Sequence, residues 1–198
     1  WGRQAHRWSP QDFEANKQDG HGVDWPIRYD DLKDWYAYVE KFIGVSGQKE
    51  GLEHFPDGEF LPPMEMYSVE KTIKARLAKK RPDLTMTIGR AAILTEDHNG
   101  RAACHYCGPC PRGCSTGSYF STQSSTLPAA EATGRLTLRP NSVVEKLIYD
   151  EETNKVKAVR VIDAETKDSM EFTSDIVFMC ASTIGTNQIL LNSKSFAF

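Results

Sequence analysis

No apolar run in these 198 residues approaches the roughly 20 needed to cross a bilayer as a helix, and no charged-then-apolar segment opens the chain. Charge of one sign is lacking too. The 24 Lys and Arg against 27 Asp and Glu leave a formal net charge of -3, spread along the chain rather than gathered into a basic stripe, which argues against nucleic acid as a partner. No internal repeat is present. What remains, 39% hydrophobic and 26% charged residues, is the composition of an ordinary globular chain able to bury a core. It begins at Trp1 rather than Met and stops at Phe198 just after a helical pattern, so both ends read as cuts in a longer protein.

Residues 1–28 show no sustained period and read as irregular structure. From Tyr29 the pattern changes. Leu32, Trp35, Tyr36, Val39, Phe42 and Ile43 recur at spacings of three and four, with Asp30 and Asp31 near the start and Gly44 at the end, which predicts a helix over 29–42. Pro62 and Pro63 make 44–67 a long loop. Ser68 then caps a helix over 69–80, carrying Val69, Ile73 and Leu77 and ending before Pro82; Lys79, Lys80 and Arg81 in its last turn suit the helix dipole. Thr85 to Leu94 alternates like a strand.

The second half is β-rich, with short runs predicted at 136–138, 143–149, 156–162, 170–173 and 176–180. The last, Ile-Val-Phe-Met-Cys, is apolar on both faces, as in the middle of a parallel sheet, and buries Cys180 as a core residue. A tight turn over Ala181, Ser182, Thr183, Ile184 and Gly185 and a helix through Ile189, Leu190 and Leu191 complete half of a nucleotide-binding crossover.

Four of the five cysteines, Cys104, Cys107, Cys110 and Cys114, fall within eleven residues at the spacing CxxCxxCxxxC. A structural zinc site takes two ligands from each of two separated knuckles, and no second knuckle exists here. An iron-sulfur cluster presents separate iron corners to one wrapping loop, so the spacing favours iron-sulfur over zinc. Gly108 and Gly113 give tight turns, and Pro109 and Pro111 stiffen the loop. A disulfide-linked loop, with Cys104 joined to Cys114, or a set of free thiols stays open. His105 reads as a hydrogen-bonding neighbour, and no catalytic pair emerges from His6, His21, His54 or His98.

Trp1-Gly2-Arg3 with Asp12-Phe13, Asp24-Trp25-Pro26-Ile27 with Tyr29, and Glu40 with Gly44-Val45-Ser46-Gly47 resemble the glucose-methanol-choline oxidoreductases. Nearly the whole chain is similar to the central part of the bacterial membrane-bound dehydrogenase large subunits of that family, the branch acting on fructose, gluconate, sorbitol and glucose. Some members of the branch hold a three-iron four-sulfur cluster on a Cx5Cx3Cx7C motif, which maps onto Cys104, Cys110 and Cys114 with Thr122 at the fourth position. Cys107 is an additional thiol, so a four-iron cluster on all four cysteines is the alternative. The resemblance also implies that Val144, within Asn141 to Leu147, holds the adenine of FAD through its backbone. Ala181 and Ser182 fall in the family's second signature near the flavin, with Ser182 where glycine is frequent. The phosphate-cradling GxGxxG and the family's catalytic histidine segment are absent from these residues.

The expected fold class is therefore α/β, a partial FAD-binding, Rossmann-like domain with an inserted substrate-domain segment and a cysteine-rich cluster loop. The expected division is an irregular flavin-domain segment at 1–28, a helical and loop part of the substrate or cap region at 29–100, the cysteine loop and a following helix at 101–135, and a β-rich part of the FAD-binding domain at 136–198. The resemblance implies an enzyme oxidising the CH-OH group of a sugar, polyol or alcohol, with electrons relayed through an iron-sulfur cluster to a cytochrome or quinone. It also implies a small chaperone-like subunit, a cytochrome c subunit and a place at the periplasmic face of the inner membrane. A non-enzymatic iron-sulfur or zinc module and a flavin oxidase reducing oxygen directly are the competing functions.

Overall fold

The computed structural model describes residues 3–195. The chain divides into two compact units, 1–136 and 137–198, each described separately.

In the first unit a 3-10 turn, Pro10–Phe13, leads into α1 (Ala15–Asp19), two short elements in a stretch the sequence reads as irregular. The Asp12 carboxylate accepts from the Ser9 N–H at 2.6 Å and fixes the turn, which drives Phe13 to 0% exposure. α2 spans Tyr29–Ile43, one residue longer than the periodicity predicts. Asp31 accepts from the Arg28 N–H at its start, and Gly44 ends it at φ 73°, where a side chain is strained and a Cβ would lie 2.3 Å from Leu94 Cδ2. The last carbonyls of α2 are claimed by one distant turn. His98 Nε2 lies 2.6 Å from the Lys41 carbonyl, Asn99 Nδ2 donates to Phe42 and Arg101 Nη2 donates to Ile43. Three side chains thus satisfy a helix end whose carbonyls would otherwise be orphaned.

The face that α2 buries is only in part the one its apolar residues suggest, since Leu32, Tyr36, Phe42 and Ile43 are half-buried. Trp35 and Val39 are exposed, whereas Glu40 is 5% exposed. The reason is a partner. Arg7 donates Nε to Glu40 Oε1 at 2.8 Å and Nη2 to Oε2 at 2.6 Å, and the Glu59 N–H adds a third bond at 2.9 Å. Burial of that pair rotates the helix to bring position 40 inward. α3 (Ser68–Lys80) follows, with Tyr67 rather than Ser68 as its cap and with Val69 and Ile73 exposed, and a short α4 (Thr126–Glu131) comes near the end of the unit.

The core of this unit is a line of single β-bridges rather than a sheet. Gln4 pairs with Ala91, Ala91 with Ser46, and Ser46 with Leu61, while Ile93 pairs with Tyr119. The strand expected over 85–94 is thus reduced to isolated pairings, because its neighbours meet it for one residue at a time. Val45, Ala92 and Leu94 are buried along this line, and full burial of Leu94 contributes about 1.5–3 kcal/mol. Beside it Arg90 is 1% exposed. Its guanidinium bonds Asp57 at 2.6 Å and the carbonyls of Gln48, Phe55 and Pro56, and stacks over Phe55 and Phe60 at 3.8 and 4.7 Å. The long 44–67 loop is thereby held from within by the Arg90 guanidinium and, at Glu59, by the Glu40 carboxylate.

The second unit is an antiparallel three-stranded meander, β1 (Ser142–Asp150), β2 (Lys155–Asp163) and β3 (Ser169–Thr173), in the order β1-β2-β3. Three of the five predicted runs are these strands. Val143 pairs with Ile162 and Val161 with Met170, and an irregularity in register falls between Val144 and Lys146. The Asp163 carboxylate accepts from the Glu165 and Thr166 N–H groups and closes the second turn. α5 (Ser182–Asn192) packs on β1, with Asn192 Nδ2 donating to the Glu145 carbonyl and Ser193 Oγ accepting from the Leu147 N–H at 2.8 Å. Ala158, Val161 and Ile189 form the buried centre.

Two predicted strands fail. Residues 136–138 and 176–180 are unpaired, and Ile176, Phe178 and Cys180 are exposed rather than core. A strand apolar on both faces needs a neighbour on each side. No described segment runs beside this one. The chain is thus a mixture of helices and sheet, with an antiparallel sheet among the described residues where a parallel one was expected. Among the described residues no helix is long and apolar enough to cross a membrane.

Candidate functional site

The cysteine loop grows directly out of the bridge line. The Cys104 N–H donates to the Leu94 carbonyl at 2.9 Å, and the Ala102 N–H donates to the Thr116 carbonyl at 3.2 Å, pinning the loop at its base. Between them the backbone turns through positive φ at Tyr106 (54°), Gly108 (89°) and Gly113 (121°), and Cys110–Arg112 form a 3-10 turn. Glycine suits the last two positions for that reason.

This path separates the four thiols. Cys110 and Cys114 line a cavity of about 570 Å3 together with Arg3, Arg112, Tyr119 and Ser124, and Cys104 and Cys107 are not among its lining residues. Cys107 is exposed, and the Cys104 sulfur accepts from the Tyr106 N–H at 3.4 Å. Among the described residues no three Cys, His, Asp or Glu side chains stand where they could share a metal ion. The four sulfurs as placed do not fit an iron-sulfur cluster, whose ligands must converge. His105 joins no such group either.

The cavity is electropositive. Arg3 donates Nε to the Phe120 carbonyl at 2.6 Å and lies 5.0 Å over the Tyr119 ring, Arg112 stands on the 3-10 turn, and no carboxylate lines the space. Among the described residues Cys114 is the sulfur with the most hydrogen-bond partners. Thr116 Oγ1 donates to Ser118 Oγ at 3.0 Å, which leaves the Ser118 proton for the Cys114 sulfur at 3.3 Å, and the Tyr119 N–H adds a contact at 3.5 Å. Burial pushes this thiol up, but the hydrogen bonds from Ser118, Thr116 and Tyr119 more than reverse it, and its pKa falls to about 6. The spacing rule missed this second shell, although the run Ser115-Thr116-Gly117-Ser118 directly after Cys114 carries the signal. Alkylation of Cys114 by iodoacetamide is expected to follow the thiolate. It should be near its plateau at pH 7 and fall as pH drops through about 6, read by mass spectrometry of the 104–114 peptide. A midpoint above pH 8 would show that those hydrogen bonds do not hold in solution.

The expected flavin contacts lie in the second unit. Val144 is on β1, the outer strand of the sheet, where backbone groups facing away from β2 are open to other partners; Glu145 and Leu147 already give theirs to α5. An edge backbone of this kind matches the chemistry asked of Val144. Ser182 begins α5 at φ 61°, the left-handed region, which explains physically why glycine suits that position. Ala181 precedes it at φ -86°. Ser182 stands ten residues, about 15 Å of helix, before Asn192, so β1 and α5 meet through the far end of the helix.

The profile of the family described as GMC oxidoreductase matches residues 18–195. Three relatives align over nearly the whole chain. A 2-methyl-1,2-propanediol dehydrogenase from Mycolicibacterium austroafricanum is 29% identical, over 94% of this chain and 34% of its own length. A fructose dehydrogenase large subunit from Gluconobacter japonicus is 24% identical, over 96% and 35%. A 6'''-hydroxyparomomycin C oxidase from Streptomyces lividus is 25% identical, over 98% and 36%. The chain thus spans about a third of the length of these relatives.

Proposed function

This chain belongs to the GMC oxidoreductase family, and on that premise we propose that the protein containing it is an FAD-dependent oxidoreductase acting on the CH-OH group of a sugar, polyol or other alcohol. The family match over 18–195 carries the reading, and the alcohol and sugar substrates in the names of the relatives support it. FAD, which the family binds, supplies the acceptor for the hydride leaving the carbinol carbon. The chain's own share is binding and orientation. The edge backbone of β1 at Val144 would hold the adenine, and the turn at Ala181 and Ser182 would stand near the flavin. The proton of the substrate hydroxyl is assigned to no residue of this chain.

The finer reading adds an iron-sulfur relay on Cys104, Cys107, Cys110 and Cys114 toward a cytochrome or quinone, with a small chaperone-like subunit and a cytochrome c subunit as partners. The CxxCxxCxxxC spacing and the similarity to a fructose dehydrogenase large subunit support it. The divergent sulfurs count against it, and no step is derived through a cluster. The Streptomyces lividus relative, named an oxidase, favours a second reading in which electrons pass to oxygen directly.

Anaerobic purification of the full-length protein separates these readings. One FAD per chain, bleached by an alcohol or sugar substrate, is the expected result; protein without flavin sinks the proposal. An electron paramagnetic resonance signal from iron and sulfide marks the relay, and hydrogen peroxide formed in air with no such signal marks the oxidase.

A further inference from the structure

We propose that the cavity lined by Arg3, Arg112 and Gln123 is a binding site for a small organic oxyanion, a phosphate monoester or a carboxylate, with the Arg3 guanidinium as its fork. The inference starts from how Arg3 is held. Its Nε donates to the Phe120 carbonyl at 2.6 Å, its guanidinium lies 5.0 Å over the Tyr119 ring, and its own carbonyl accepts from the Ala92 N–H at 2.8 Å. The side chain is anchored at one edge only. Among the described residues neither Nη group donates to a protein atom, so two parallel donors are fixed in place and left open. That is the geometry that grips an oxyanion with two bonds at little further cost in entropy. The backbone at Arg3 is left-handed, φ 60°, a conformation that costs a residue with a side chain and is tolerated where the surroundings fix it. A guanidinium kept only for solubility needs none of this fixing.

The rest of the lining agrees. Arg112 reaches the same space from the 3-10 turn, and among the described residues its side chain makes no hydrogen bond or ion pair. Two cations therefore share one concave space that no carboxylate lines, in a chain whose net charge is -3. A field of one sign focused in a cleft draws in an anion. The Gln123 carboxamide, also without a partner among the described residues, adds a neutral donor that can bind a phosphate or carboxylate oxygen. Volume sets the ligand class. About 570 Å3 is more than a bare phosphate or acetate fills and is the size of a small-molecule site, so the anionic group belongs to a larger molecule. The site goes beyond the alcohol oxidation proposed above and does not rest on it.

The test titrates the full-length protein, in phosphate-free buffer, with inorganic phosphate and with glucose 6-phosphate by isothermal titration calorimetry. One site per chain is expected for each, the two competing for it, with glucose 6-phosphate the tighter at a dissociation constant below about 1 mM and both weakened by added salt. Arg112→Gln removes a side chain that holds nothing in the protein, so it should keep the fold and weaken both ligands about tenfold, the worth of one hydrogen bond to a charged group. Arg3→Lys keeps the charge but not the fork and should weaken them at least as much. Circular dichroism of the variants separates a lost site from a lost fold. No binding by the parent protein, binding unchanged in Arg112→Gln, or a cavity filled by stoichiometric iron and sulfide would each overturn the proposal. Loss of FAD from Arg3→Lys, with no phosphate bound by the parent, would put the cofactor's own pyrophosphate in the fork and overturn it as well. The flavin reading fails or stands separately, on the FAD content of the parent protein.

Discussion

Glu40→Ala in the full-length protein is expected to destabilise the unit built from residues 1–136 by about 3–5 kcal/mol, measured as a fall in the denaturation midpoint at constant slope. The carboxylate is one half of a pair in which both side chains are 6% exposed. Removing it strands the Arg7 guanidinium away from water and leaves the Glu59 N–H without its acceptor. Tyr29, whose hydroxyl accepts from Arg7 Nη1 at 2.9 Å, cannot replace a negative charge. Neighbouring packing adds to the effect, because Gly58 sits so close to the carboxylate that a Cβ there would lie 2.3 Å from Glu40 Oε2. Glu40→Gln, which keeps the shape and some of the hydrogen bonds, should lose less. If alanine and glutamine variants melt alike and within about 0.5 kcal/mol of the parent, the pair is dispensable.

Arg90→Ala is expected to cost a similar amount, about 3–5 kcal/mol, for a different reason. Arg90 is the largest of the fully buried side chains. Its loss empties the space between Phe55 and Phe60 and leaves the carbonyls of Gln48, Phe55 and Pro56 without a donor. Asp57 keeps the Glu50 and Gly51 N–H groups, so its carboxylate is not abandoned. The expected signature is therefore local. Amides over 48–60 should exchange faster with solvent before the rest of the unit opens, and Arg90→Lys, which keeps charge but neither the stack nor the fork, should recover little. Uniform exchange across the unit would show that Arg90 is not what organises the loop.

Periodicity made α2, α3 and the three strands legible, since each repeats an apolar or alternating pattern over several residues. It missed one member of the inward face of α2, because Glu40 is buried by an ion pair with Arg7 from 33 residues away, and no period carries that. It failed at 85–94 and 176–180, where the residues look like strand but the pairing depends on partners elsewhere. For the candidate site, spacing grouped four cysteines that the backbone then divides, because Tyr106, Gly108 and Gly113 turn the chain in ways that spacing does not encode. Ser182 shows the reverse, a residue that reads as a small departure in the sequence and that the structure holds at φ 61°, a conformation favouring glycine.

The line of single bridges has a consequence for how the first unit forms. Gln4, Ser46, Leu61, Ala91 and Tyr119 are drawn from five separate stretches, so almost every pairing closes a long loop of chain before it gains anything. Such a contact order makes folding slow and nearly all-or-none, with no hairpin or helix pair able to stand as a stable intermediate. The same arrangement makes the unit intolerant of truncation. A truncation that takes away Gln4 or Tyr119 removes an end of the line, and the residues in the middle lose the neighbours that define their register.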